Sequence, residues 1–422
     1  MTETVKTHLD NGLTVLLREA HAAPVTSFWL WYRVGSGSEH VGITGISHWV
    51  EHMLFKGTPR WPRGSADRAI SREGGMWNGQ TWYDYTAYYA TLPSARIELE
   101  VEIEADRMTG ALFEPDEVES ERTVIISERQ GAENDPQYLL SEEVLAAAFR
   151  VHPYGHPTLG HMSDLWQITR DDLYRHYRTY YVPANAIVVA VGDFEAGAML
   201  EVIRRHFAAI PAGEPVARPR PVEPPQRGER RVIREGEDTT AYLAVVFHTP
   251  PPTVEDFYPL VVLDSVLTGA SGLTLFGEGG TNKSSRLYRA LVDHELTTDI
   301  EGSLLPTVDP FVYTLSATVR AGHSPAEVEE RLWAELQRIA AEPVAGDELT
   351  TAIKQARAQF AYSRESVTGQ AFWLGWSEIL ADHAWPDRYL DRLSAVTPEQ
   401  VQIAAQQILR RSNATVGWYV SE

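Results

Sequence analysis

The 422-residue chain contains no cysteine. Neither a disulfide nor a thiolate metal site can form, so any bound metal must be held by His, Asp or Glu. It also lacks an apolar run long enough to cross a bilayer, and no membrane partner is expected. Met1 to His8 holds no apolar stretch of the kind a secretory signal needs, so a cytoplasmic location is expected. Positive charge is scarce: 37 Lys and Arg stand against 58 Asp and Glu, a net charge of -21. Such a surface repels phosphates, which argues against nucleic acid as a partner and suits basic or amphipathic peptides.

At this length, two domains of roughly 200 residues are expected. Val5 to Leu9 and Leu13 to Leu17 are apolar-rich runs joined by Asp10-Asn11-Gly12, a hairpin signal. Phe28 to Val34 and Tyr85 to Leu92 read as further strands. Ile46 to Phe55, Arg96 to Met108 and Glu114 to Arg129 read as helices, the last with Pro115 suited to its first turn. Thr169-Arg170-Asp171-Asp172 resembles a capping box and is followed by Asn185-Ala186-Ile187-Val188. Thr397-Pro398-Glu399-Gln400 and Asn413-Ala414-Thr415-Val416 repeat that order, each 228 residues further on. The matching offsets point to an internal duplication. Pro211 to Pro225 holds six prolines with little periodicity and reads as an extended linker. The expected class is α+β: two homologous halves of antiparallel-rich sheet and helix, 1–212 and 230–422, joined by a linker at 213–229.

His48-Trp49-Val50-Glu51-His52 carries the chemistry. On a helix His48 and His52 share a face, so both imidazoles can reach one ion. Glu51 falls beside them, near the open position of a catalytic site. Ile46, Trp49, Val50, Met53 and Leu54 form an apolar stripe pointing the other way, into a core. Catalytic zinc takes three protein ligands and a water. Glu121 and Glu128 are seven apart on the Glu114 helix and also share a face. Glu128 can complete the site, and Glu121 can orient a histidine from behind. Bound zinc lowers the pKa of its water to about 7, and Glu51 can then take the proton as the water attacks a carbonyl.

The stretch from Gly45 through His48, Glu51 and His52 to Thr58 resembles the active-site helix of the insulinase/pitrilysin (M16) metallopeptidases, the inverted-motif zinc peptidases. The nearest resemblance is to small bacterial members and the mitochondrial processing peptidase β subunit. Glu121 to Glu128 resembles their second motif, and Gly75 to Tyr89, with Asn78, Thr81 and Asp84, their substrate-side segment. Tyr180 to Ala186 resembles a late stretch of their first half. The resemblance implies one Zn2+ per chain, and two halves facing each other as a clamshell around a peptide chamber. It also implies that peptide substrates add as a strand to a sheet edge near Asn78. The first half is then the zinc-bearing catalytic domain and the second a non-catalytic homologue without the motif. Active members also carry an Arg and a Tyr, seven apart, in the second half. Aligned on Ser285-Arg286-Leu287-Tyr288, those positions hold Val292 and Asp299. In heteromeric members one subunit keeps the zinc and its partner the Arg/Tyr pair. The chain is therefore expected to be the zinc-bearing subunit of a heterodimer with a homologous partner, or a homodimer. The rival readings are a catalytically silent peptide-binding or assembly subunit of the same fold, and a small-molecule hydrolase.

Smaller signals remain open. His152, His156 and His161 cluster around Pro153 and Pro157, as an ordinary loop or a second metal site, the prolines disfavouring helical presentation. The glycine-rich stretch Gly269 to Gly280 is a flexible loop or a substrate guide. Trp77, Trp82, Tyr83 and Tyr85 can line a groove or pack a core. Arg230 and Arg231 are expected to pair with acids.

Overall fold

The Asp10-Asn11-Gly12 turn closes the first hairpin, with Gly12 at φ 86, where a side chain on L-residues is strained. It joins β1 (Val5–His8) to β2 (Thr14–Glu19), which pair antiparallel. The structure is a computed structural model and describes residues 3–214, 216, 221–273 and 283–421. The last part of the glycine-rich stretch, 274–280, lies outside the described residues, as do 215 and 217–220 of the linker region. The chain divides into two units of mixed sheet and helix.

Unit 1 comprises 1–130, 156–220 and 364–383. Its sheet adds β3 (Val25–Tyr32), β4 (Met76–Thr81), β5 (Thr86–Pro93) and β6 (Ala186–Gly192) to the hairpin. The order is β1-β2-β6-β3-β5-β4, and only β2 and β6 run parallel. One face packs on Trp49, Val50 and Met53 of the Ile46–Met53 helix and on Val101 and Met108 of the Glu98–Gly110 helix. The other carries Trp29 and Trp31, covered by the Val367–Leu380 helix, whose Phe372 ring lies 5.8 and 5.5 Å from theirs. Gly375 lets that helix approach, since a Cβ there would sit 2.2 Å from Trp31 Nε1.

Unit 2 comprises 131–155, 221–363 and 384–422. Its strands are β7 (Arg230–Gly236), β8 (Tyr242–Thr249), β9 (Thr297–Leu304), β10 (Phe311–Val319) and β11 (Ala414–Ser421), in the order β7-β11-β8-β10-β9. Again a single neighbouring pair, β7 and β11, is parallel. Strand for strand this repeats β2-β6-β3-β5-β4. The duplication extends to side chains. Both expected capping boxes form, at Thr169/Asp172 and Thr397/Gln400. After each helix an asparagine donates back to it, Asn185 to Tyr180 O at 2.8 Å and Asn413 to Ile408 O at 3.0 Å. The fold is thus α+β in two similar halves.

The units do not follow chain order. The Pro136–Ala148 helix, from the first half of the sequence, packs on β7, β8 and β11 in unit 2, while 364–383 joins unit 1. Gly417 on β11 admits the first of these helices, since a Cβ there would meet Val144 Cγ2 at 2.2 Å. Arg231 pairs with Glu329 at 2.6 Å and Glu229 at 2.7 Å, as expected of it. Arg230 instead donates to the carbonyls of Ala147 and Ala148, capping the end of the Pro136–Ala148 helix, where orphan carbonyls need a donor. No helix among the described residues is long and apolar enough to cross a membrane.

Candidate metal centre

The motif occupies the Ile46–Met53 helix, entered through Gly45 at φ 87. Glu39 caps its start, accepting from Gly45 N at 2.7 Å and Ser47 N at 2.8 Å. The apolar stripe is buried, which turns His48 and His52 to the opposite face, where their rings lie 4.6 Å apart. The long Pro115–Glu133 helix brings Glu121 and Glu128 to that face. Glu128 Oε2 is 3.7 Å from Nε2 of His48 and equally 3.7 Å from Nε2 of His52.

Behind this trio, His52 Nδ1–H donates to Glu121 Oε1 at 2.8 Å, which turns Nε2 toward Glu128. Lys56 Nζ pairs with the other oxygen of Glu121. Burial works against the Glu121 charge, yet the bonds from His52 and Lys56 hold its carboxyl below the ordinary value. For His52, burial opposes the cation but Glu121 and the charges of Glu128 and Glu51 outweigh it, and the pKa rises. Burial, and then the neighbouring His52, push His48 down to about 3. His48 is therefore neutral, and its Nδ1 is buried with no hydrogen-bond partner.

The residues fit a zinc ion. One ligand atom from each of His48, His52 and Glu128 lies within 4.8 Å of the others, the only such group of three among the described residues. Tetrahedral zinc ligands stand roughly 3.3 Å apart, so small side-chain rotations close the 3.7 Å separations. Two imidazoles and a carboxylate are a usual donor set for catalytic zinc.

Glu51 is buried beside the trio, and Thr81 Oγ1 donates to its Oε2 at 2.6 Å. Burial pushes Glu51 up to about 7, with the Thr81 bond and His52 pulling the other way. Thr81 belongs to β4, the last strand of its sheet, which pairs with β5 alone. Alternation puts Trp77, Gly79 and Thr81 on the face of β4 toward the motif helix and Asn78 on the other. Asn78 is exposed and accepts from Gly79 N at 2.9 Å.

The structure thus brings His48, Glu51, His52, Glu121 and Glu128 together and sets Asn78 on the adjoining edge strand. It does not gather the three loop histidines. His152 belongs to unit 2 and accepts from Tyr154 N, whereas His156 and His161 belong to unit 1 with rings 5.9 Å apart. Val292 ends the helical segment Tyr288–Val292, and Asp299 lies on β9, accepting from Thr318 N. Sequence reasoning gave Lys56 and Thr81 no role. The available signals were the four-residue step from His52 to Lys56 and the hydroxyl of Thr81 in a segment already singled out.

Fold and site together define a duplicated α+β protein with a candidate His/His/Glu metal centre. Residues 14–161 match the family model described as insulinase (peptidase family M16), and 167–356 match that of the peptidase M16 inactive domain. The chain belongs to the insulinase family of peptidases. It is 29% identical to a zinc protease of Mycobacterium leprae over 99% of this chain and 92% of that one. It is 28% identical to the mitochondrial-processing peptidase subunit beta of Lentinula edodes over 61% of this chain and 56% of that one. A crystal structure of a protease from Helicobacter pylori superposes with a TM-score of 0.93 at 25% identity, covering all of both chains.

Proposed function

We propose that the chain is a zinc-dependent endopeptidase acting on unfolded peptides. In this reading His48, His52 and Glu128 hold the ion, Glu51 is the general base and Glu121 orients His52. The observation that carries it is the convergence of two imidazole Nε2 atoms on one oxygen of Glu128 beside a buried, hydroxyl-held Glu51. When bound, zinc supplies an acidified water and polarises the scissile carbonyl. Thr81 holds Oε2 of Glu51, so that Oε1 takes the proton and later returns it to the leaving amine. The free edge of β4 beside Asn78 receives the peptide as an added strand, through main-chain hydrogen bonds of weak sequence preference. Residues 1–212 are the catalytic half and 230–422 the silent homologue, a reading supported by the strand order β2-β6-β3-β5-β4 recurring as β7-β11-β8-β10-β9.

We further propose that the chain is the zinc-bearing member of a heterodimer. Val292 and Asp299 stand where the resemblance expects Arg and Tyr, and one relative is itself named a subunit. The test is cleavage of a mixed set of unfolded peptides by the purified zinc-loaded chain, with Glu51→Gln as the blank. Cleavage lost in the variant supports the peptidase and removes the need for a partner. A zinc-loaded chain inactive alone and active with a homologous subunit supports the heterodimer. Inactivity in both settings favours the silent subunit.

A further inference from the structure

The Glu98–Gly110 helix carries a charge into the core of unit 1. Arg107 is 2% exposed, and its Nε donates to Glu104 Oε2 at 2.8 Å while Nη2 bonds the other oxygen. A buried pair of this kind replaces good hydration with one partner and is weak evidence of stabilisation on its own. The neighbouring Glu100 carboxyl is fully buried, and burial, then the charge of Glu104, push its pKa well above the ordinary value. A site that crowds two carboxyls and a guanidinium into a core calls for a reason in the geometry.

The geometry supplies one. The Arg107 guanidinium lies over three rings at once: Tyr88 at 4.2 Å, Phe55 at 5.1 Å and Trp77 at 5.4 Å. Phe55 and Trp77 meet edge to face at 4.9 Å. Phe55 follows Glu51 by four residues, just past the end of the motif helix, and Trp77 precedes Thr81 by four on β4. The same face of β4 therefore touches the helix at three heights. Trp77 packs on Phe55, Thr81 bonds Glu51, and Gly79 lies between them. A Cβ on Gly79 would stand 2.9 Å from Glu51 Oε1 and 3.0 Å from Phe55 Cε2, so the strand backbone is pressed against the carboxylate. The Thr81 end is held by its hydrogen bond to Glu51, whereas the Trp77 end rests on ring contacts and one indole bond to Asp67, and flat rings slide past one another unless something pins them. A guanidinium does this, since its attraction to ring faces is directional and strengthens when water is excluded.

We propose that Arg107 is a positioning residue that fixes β4 against Glu51, acting through Phe55 and Trp77. It touches neither the metal ligands nor the edge of β4, although its charge is among the smaller influences that lower the pKa of Glu51. Its effect on the reaction is the placement of the strand that both holds Glu51 through Thr81 and offers its edge to substrate. The inference rests on the reading of Glu51 as base, and its test includes a measurement independent of that reading.

Two sets of variants of the full zinc-loaded chain serve. Trp77→Leu removes one ring and leaves the buried ion pair intact, while Trp77→Phe keeps a ring; both lose the indole bond to Asp67, so their difference isolates the stacking. Arg107→Met combined with Glu104→Gln removes both charges together and leaves no lone buried ion. Peptide cleavage is resolved into kcat and KM, amide exchange is followed over 76–81 and over β3, and zinc content and Tm are recorded. Trp77→Leu and the double variant should each lose about tenfold to hundredfold in kcat, with zinc content kept, and Trp77→Phe should recover most of it. Exchange over 76–81 should rise about tenfold while β3 stays protected. Unchanged kcat and unchanged exchange over 76–81 would overturn the proposal. So would equal losses in Leu and Phe, or a loss that simply follows Tm or zinc content. Should the wild-type chain bind zinc and cleave nothing, alone or with a homologous subunit, the peptidase reading fails, and the exchange over 76–81 alone decides the positioning role.

Discussion

Nδ1 of His52 and Oε1 of Glu121 lie 2.8 Å apart, and the second oxygen of that carboxylate is held by Lys56. The bond fixes the imidazole tautomer and its plane, so that Nε2 faces Glu128 before any metal arrives. Replacing Glu121 by Gln removes the charge but keeps the shape. Zinc affinity should fall about 10- to 100-fold, the usual loss for an outer partner of a ligating histidine. Chelator competition on the folded variant reads this directly, and an affinity equal to wild type would show that Glu121 does not tune the site.

Metal removal should cost stability as well as activity. Binding to the folded chain alone stabilises it by about 2.7 kcal/mol at a free zinc concentration 100 times Kd. A chelator should therefore lower Tm, and zinc should restore it. In His48→Ala, which lacks one of the three ligands, the zinc-dependent rise should shrink or vanish. A thermal scan with and without zinc separates the outcomes.

His176 gives the fold a sensitivity to acid. Its ring is buried, its Nε2 lies 3.3 Å from Ser47 Oγ, and burial alone holds its pKa down to about 3 from an ordinary 6.5. Between those values the unfolded chain accepts a proton that the folded chain refuses. This contribution is fully present above about pH 6.5 and is lost as pH falls toward 3, at about 1.4 kcal/mol per pH unit. His176→Gln should lose less stability than wild type over that window. Denaturant titrations at pH 7, 5.5 and 4.5 test it; parallel losses in the two proteins would contradict the assignment.

The two glycines that admit the crossing helices make a paired prediction. Gly375→Ala drives a methyl into Trp31, and Gly417→Ala drives one into Val144 and Leu140. Overpacking of this kind costs about 1–3 kcal/mol. Each variant should melt several degrees lower, and local exchange should rise first in the unit that carries the substitution. Unchanged Tm in both would mean that neither helix is seated as described.

Much of this could be read from residue order alone. The first hairpin, the motif helix, the Pro115 helix and both capping boxes formed where turn chemistry and periodicity placed them, with ends shifted by a few residues, as helix and strand ends commonly are. The candidate site was legible because three of its residues, His48, Glu51 and His52, sit within one helical turn and a half. Strand β4 was harder. Met-Trp-Asn-Gly-Gln-Thr has no clean alternation and an interior glycine, and it is a strand because β5 and the motif helix hold it on two sides. The helix exchange left no trace that a sequence could give. The Val367–Leu380 helix is apolar nearly all round, which states that it is buried without stating under which sheet.

That exchange bears on how the protein is made. During synthesis the first sheet emerges with the indoles of Trp29 and Trp31 bare, and the helix that covers them follows only after β7 to β10 have been translated. The nascent chain therefore waits with an aromatic surface exposed, a condition that invites aggregation and rewards a chaperone. The two genes of a chain split at the linker would yield products that each carry the other's missing helix, and neither should stay soluble until both are expressed in the same cell.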